Sequence, residues 1–341
     1  MREAAILRSL PSHPRVVGLL DSWSEPLTLA GASEPCAEAP VLVFELLSMT
    51  ALEALEQLGA FPRKACAALC AQLCDALAHV HAHGVVHRDV KPENVMLCPV
   101  EGEAFLETPA LKLCDLGAAR RLDSSEPMVG AELELTHYIG SRWYRAPELM
   151  ANSCDYGFAV DVWGAACIVC ELATGEPLFP GDDEHAVLKR CCELVGPFPP
   201  AVEHSLHSRG VPRDVLRCCT STQQSLSDAH GGALRRALGD TALSLLEDML
   251  RPSATRRITA ANARDDPRCR FDETAATAAV AGETRAAEKA ASEQRRLALE
   301  AQPEEEVEDE LFDEIVGEEV DETEQDYTAV REDERAPLEA A

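Results

Sequence analysis

Basic side chains are in short supply in this sequence of 341 residues: 31 Lys and Arg face 60 Asp and Glu, and the first lysine is Lys64. The formal charge of −29 gives the chain no overall attraction to nucleic-acid phosphates or to an anionic membrane surface, so no nucleic-acid and no membrane partner is expected. The deficit is uneven, since residues 303–341 carry 18 acids against 2 arginines, a net of −16 that leaves −13 for residues 1–302. No leader peptide and no apolar run of membrane-spanning length is read. Zinc-type cysteine spacing is also absent, because Cys191-Cys192 and Cys218-Cys219 are bare doublets.

What is present supports one large domain, or two smaller ones, plus a tail. A hydrophobic share of 46% can build a core, and 27% charged residues is ordinary for a soluble protein. Several of the 14 cysteines (Cys66, Cys70, Cys74, Cys167 and Cys170) lie inside apolar helical runs, where a free thiol behaves as a small hydrophobe. This usage points to an intracellular, reducing compartment, cytoplasmic or nuclear.

Residues 1–10 read as a helix with Ala4, Ile6, Leu7 and Leu10 on or near one face, broken by Ser12-His13-Pro14. Two strands follow, Val16 to Leu20 and Pro40 to Phe44, separated by a loop from Glu25 to Pro40. Leu52, Leu55, Leu58, Leu69, Leu73, Leu77 and Val80 give residues 51–83 a helical period, with Pro62 suited to a start and Gly84 to an end. His79, His81 and His83 alternate along that helix end. Helical neighbours two apart diverge, so cations at a helix C-terminus are a plainer reading than a metal site. Short apolar strands are expected at 95–97 and 111–114, and a long apolar helix from Asp161 to Leu172. Residues 185–250 contain two helical stretches and a Cys- and Ser-rich region near 205–230 without a readable motif. An Ala/Glu-rich helix is expected at 272–302. The acidic residues 303–341 read as disordered, with Leu311-Phe312 and Ile315-Val316 as a docking patch or, more plainly, part of a solvating tail.

One stretch carries chemistry, His87-Arg88-Asp89-Val90-Lys91-Pro92-Glu93-Asn94. Asp89 can accept a proton from an attacking hydroxyl, Lys91 can neutralise a phosphate, and Asn94 can give a carbonyl oxygen to Mg²⁺. A solvated polar loop is the bland alternative. The order of these eight residues, with Asp115-Leu116-Gly117 following a strand 26 residues beyond Asp89, argues against it.

The stretch resembles the catalytic loop of protein kinases, H-R-D-x-x-x-x-N, and Asp115-Leu116-Gly117 resembles their D-F-G with Leu in place of Phe. Thr136-His137-Tyr138 through Ala146-Pro147-Glu148 resembles the activation-loop end of the CMGC group, which holds the mitogen-activated and cyclin-dependent kinases. The resemblance implies an α+β, bilobal fold with a mostly helical large lobe and an incomplete small-lobe sheet. Its parts would be a small-lobe remnant over 1–47 and a large lobe over 48–271. It implies Asp89, Lys91, Asn94 and Asp115 as catalytic residues, ATP and Mg²⁺ as cofactors, and Asn94 and Asp115 as metal ligands. Around ATP it implies Glu3 as the small-lobe helix glutamate, Phe44 as gatekeeper, Glu45 and Leu47 as backbone partners of adenine, and Met96 as the floor. Thr136 and Tyr138 become phosphosites, with Arg2, Arg88 and Arg120 as phosphate-binding arginines. Ser141 and Arg145 contact the protein substrate, a serine or threonine followed by proline, and an upstream activating kinase is implied. Glu148, Asp161 and Arg257 become structural residues.

The glycine-rich loop and lysine-bearing strand that open such a kinase are not found ahead of the first helix, so the chain reads as N-terminally truncated. Two other readings compete with phosphoryl transfer. A non-catalytic kinase-like scaffold, or an inactive truncated product, would explain the missing loop and lysine. A plain acidic interaction protein would explain the tail but not residues 76–271.

Overall fold

The computed structural model describes residues 2–27, 37–100, 105, 109–122, 139–151, 156–217 and 225–271. Thr136, Tyr138 and everything beyond Phe271 lie outside the described residues, so the expectations for the phosphosites, the Ala/Glu-rich helix and the acidic tail are not addressed by it.

The chain opens with helix α1 (Arg2–Ser9), which buries Ala4, Ile6 and Leu7 as the period predicts. Strands β1 (Leu19–Leu27) and β2 (Ala37–Phe44) then pair antiparallel from Leu19 opposite Phe44 to Leu27 opposite Ala37. This corrects two boundaries. Val16 and Val17 do not begin the strand: they are buried at the lobe junction, where Val17 N donates to Leu113 O at 3.0 Å and Leu113 N to Arg15 O at 2.8 Å. Residues 25–27 and 37–39 belong to strands rather than to the loop, Pro26 and Pro40 being tolerated in a two-stranded pair that leaves ladder groups unused.

Past the short strand β3 (Met49–Thr50), Thr50 starts helix α2 (Ala51–Leu58) with a capping box. Its Oγ1 accepts from Glu53 N at 3.1 Å, and its own N–H donates to Glu53 Oε2 at 2.7 Å. Helix α3 (Arg63–Ala82) follows Pro62, and its 20 residues correct the expectation of no membrane-length run. With a mean hydropathy of 1.2 it is long and apolar enough to cross a membrane by length and composition alone. Here it is a core helix, packed mainly against helices α5 (Ala159–Thr174) and α10 (Ala260–Asp265), with a slighter contact to helix α9 (Ala229–Met249). Helix α5 is buried all round from Val160 to Ala173, as befits a helix at the centre of a lobe. Between them in sequence lie β4 (Val85–Val86), the β5 (Val95–Cys98) and β6 (Ala110–Leu113) hairpin, β7 (Arg120–Arg121) opposite β4, and helix α4 (Pro147–Met150). Helices α6 (Glu184–Val195), α7 (Pro200–Ser208) and α8 (Arg213–Arg217) complete the lobe, the last two within or beside the region without a motif.

Nine described cysteines are free, among them Cys66, Cys70, Cys74, Cys167 and Cys170 of the apolar helices. Cys192 is the exception: it is disulfide-bonded, and its partner lies outside the described residues.

The expected Glu148–Arg257 pair is formed and buried. Arg257 donates to both carboxylate oxygens at 2.7 and 3.2 Å, spends its other N–H groups on the carbonyls of Arg251 and Ala159, and lies over the Trp163 ring at 5.1 Å. Replacing Arg257 with Met strands the Glu148 carboxylate and is expected to lower unfolding free energy by about 3–5 kcal/mol. Adding Glu148→Leu should recover part of that loss in a denaturant titration.

Candidate active site

Asp161, in the first turn of α5, organises the loop that carries the motif. One carboxylate oxygen accepts from Arg88 N at 2.7 Å; the other accepts from His87 N and the His81 ring at 2.8 Å each. Burial alone would raise the Asp161 pKa, but the His81 contact and the donated amides hold it below the ordinary value. Two residues of the site have left-handed backbone, Arg88 at φ 69° and Asp115 at φ 60°, conformations that ordinary side chains adopt only where surrounding bonds enforce them. Gly164 permits close approach of α5: a Cβ there would lie 2.7 Å from Val90 O.

Within the loop, Lys91 Nζ sits 2.6 Å from Asp89 Oδ2. The Asn94 side-chain amide nitrogen donates to Asp89 O at 2.8 Å and Oδ2 at 3.1 Å, so neither bond uses its Oδ1. His87 Nδ1 accepts from Asp89 N, so Nε2 carries the proton shared with Cys114 O at 2.9 Å. A second bond, Cys114 N to Asn94 O at 2.9 Å, ties the end of β6 to the loop and brings Asp115 beside Asn94. Among the described residues no three His, Cys, Asp or Glu side chains converge on a metal position. A carboxamide oxygen and one carboxylate suit a hard cation that keeps waters and phosphate oxygens as its remaining ligands.

Glu3 faces Asp115-Leu116-Gly117. A Cβ on Gly117 would lie 3.0 Å from Asp115 Oδ1 and 3.7 Å from Glu3 Oε2. Burial and the Asp115 charge raise the Glu3 pKa, and the Leu116 N–H opposes them. Glu3 thus lies beside the Asp115-Leu116-Gly117 segment and pairs with no lysine among the described residues. Phe44 and Leu47 pack partly against the core, and Met96 is half-buried on β5. The Glu45 side chain is engaged, accepting from Gly18 N at 2.8 Å and Lys112 Nζ at 2.7 Å. The Glu45 carbonyl and the Leu47 amide are taken by no other group among the described residues.

The three arginines collect around residues 117–120: Arg2 reaches Gly117 O at 3.4 Å, Arg88 reaches Ala118 O at 2.6 Å, and Arg120 lies in β7. Arg88 is more committed than a phosphate ligand in waiting, being buried and bonded also to Tyr156 OH at 2.9 Å. Ser141 falls in a 3₁₀ turn (Ile139–Tyr144). Burial lowers the half-buried Arg145 pKa, and the Asp89 charge opposes this.

Sequence reasoning missed His81, which braces Asp161 instead of serving as a helix-end cation, and it missed Glu171. Tyr144 donates to Glu171 Oε2 at 2.7 Å under the 3₁₀ turn, and burial raises the Glu171 pKa to about 7.

A family model described as "Protein kinase domain" matches residues 1–268. The chain belongs to the protein kinase family. Its similarity runs to mitogen-activated kinases, which places it in the CMGC group: 32% identity over 267 residues with mitogen-activated protein kinase 6 of Arabidopsis thaliana, covering 78% of this chain and 60% of the relative. It is 36% identical over 185 residues to mitogen-activated protein kinase 14 of Xenopus laevis, covering 54% and 45%. A third relative, the sporulation protein kinase mde3 of Schizosaccharomyces pombe, is 33% identical over 198 residues, covering 58% and 32%. The matched segments thus span about a third to three-fifths of these relatives' lengths. The loop, Asp115 and the Glu148–Arg257 pair accordingly lie within the matched kinase domain.

Glu171 supplies a pH test of the kinase lobe. Its folded pKa is raised, so it contributes stability that is fully present below its ordinary pKa of 4.5 and is lost as pH rises through about 7. Glu171→Gln should remove that loss, flattening the stability profile between those limits by up to about 1.4 kcal/mol per pH unit in denaturant titrations at stepped pH.

Proposed function

We propose that the chain is a serine/threonine protein kinase that transfers the γ-phosphoryl group of ATP to a hydroxyl followed by proline. The observation that carries this reading is the Asp89–Lys91–Asn94 constellation held beside Asp115. Asp89 orients the incoming hydroxyl and takes its proton, and Lys91, already at the carboxylate, steadies the transferred phosphate. Asn94 Oδ1 and the Asp115 carboxylate would hold Mg²⁺, which neutralises phosphate charge when bound. The Glu45 carbonyl and Leu47 amide receive adenine above Met96, with Phe44 behind. Arg145 and Ser141 shape the place of the residue after the acceptor. Catalysis in this scheme is positioning and charge stabilisation on a rigid loop. An upstream kinase acting on Thr136 and Tyr138, and work in the cytoplasm or nucleus, belong to the same reading.

The experiment is ATP·Mg²⁺ binding together with phosphorylation of paired peptides carrying Ser-Pro or Ser-Ala. Activity on the first peptide should fall about 10²–10⁴-fold in Asp89→Asn, with nucleotide binding kept. Asp115→Asn should weaken metal-dependent binding as well. A folded chain that neither binds nucleotide nor phosphorylates either peptide would overturn the proposal in favour of a non-catalytic scaffold.

A further inference from the structure

Helix α3 carries thiols one turn apart at Cys66, Cys70 and Cys74. The end of the kinase domain packs onto this helix through a short 3₁₀ turn, Pro267–Arg270, whose Cys269 lies 3.8 Å from Cys70, sulfur to sulfur. The two residues are 199 positions apart in sequence, and both are buried and free. Nothing in phosphoryl transfer uses either of them.

We propose that Cys70 and Cys269 are an oxidisable dithiol, a modification site at which hydrogen peroxide forms a disulfide that fastens the end of the domain to its core helix. Closure brings the sulfurs from 3.8 Å to about 2.05 Å, by side-chain rotation and a small shift of the turn. Cys269 reacts first. It sits in a turn of four residues rather than in a long core helix, so a local opening of that turn suffices to expose it. The adjacent Cys70 S–H stabilises its thiolate, lowering its pKa, while burial and the Asp266 charge oppose ionisation. Cys70 stays a thiol, its pKa raised by the neighbouring sulfurs and by burial.

The Cys269 thiolate attacks one peroxide oxygen, the O–O bond breaks, and the departing hydroxide takes up a proton as water. The Cys70 sulfur then attacks the sulfenic sulfur of Cys269, the S–O bond breaks, and a second water leaves with the Cys70 proton. Two thiols give two electrons to one peroxide, yielding one disulfide and two waters.

The test treats the folded full-length chain with hydrogen peroxide, caps the remaining thiols, and maps digested peptides by mass spectrometry. A Cys70–Cys269 cross-linked peptide is expected, absent from Cys269→Ser and from Cys70→Ala. The peroxide-induced rise in melting temperature should exceed that of Cys269→Ser by roughly 5–15 °C. That variant keeps Cys192 and its disulfide, and because residue 269 lies in a terminal turn it remains readable even where Cys70→Ala fails to fold. Three outcomes would overturn the proposal: oxidation confined to the more accessible Cys98 and Cys114, a Cys269 link to Cys74 instead, or a Cys70–Cys269 link that forms only in denaturant.

Discussion

The buried carboxylate of Asp161 is the interaction on which the site depends. Three donors converge on it, two of them backbone amides of the loop that carries Asp89, so the loop's path is set by a side chain on a fully enclosed helix. Its charge is tolerated in the interior because every contact favours the ionised form. From that anchor the rest follows. Arg88 is forced into left-handed backbone, Asp89 turns outward toward Lys91 and Asn94, and His87 reaches across to the strand end that delivers Asp115. A glycine one turn along the same helix lets the loop backbone rest directly on it.

The large lobe was legible in the sequence because its constraints are local or strongly typed. The eight residues from His87 to Asn94, the strand before Asp115 and the Glu148–Arg257 pair each demand particular residue kinds at fixed places, and each forms as read. Helices α1 and α3 followed from apolar periodicity, with Pro62 and Gly84 marking the ends of the second, and α5 from a continuous apolar run. Where the reading failed, tertiary context had overridden local preference. Val16 and Val17 look like the start of a strand, yet they serve the lobe junction by bonding to Leu113, and the hairpin begins later and extends further than its Pro-containing ends suggested.

His81 shows a different limit. Three alternating histidines give no signal of which one faces inward, and only the position of α5 decides it: His79 reaches Pro11 O, His83 bonds back to its own helix, and His81 alone meets Asp161. Glu171 was silent for the same reason, since its raised pKa is created by enclosure beneath Tyr144. Cys192 stood in the sequence only as half of a doublet without zinc spacing, and nothing local to it announces a disulfide.

The apolar character of α3 bears on how the protein is made. Ribosomes add roughly 5–20 residues per second, so at least ten to thirty seconds separate the end of this helix from completion of α10, which packs extensively against it. Through that interval a segment greasy enough for a bilayer is held by a nascent chain without its cover. Its fate in the crowded space outside the exit tunnel rests on whatever shields such helices during synthesis, a demand set by the order of elements along the chain and not by the stability of the finished fold.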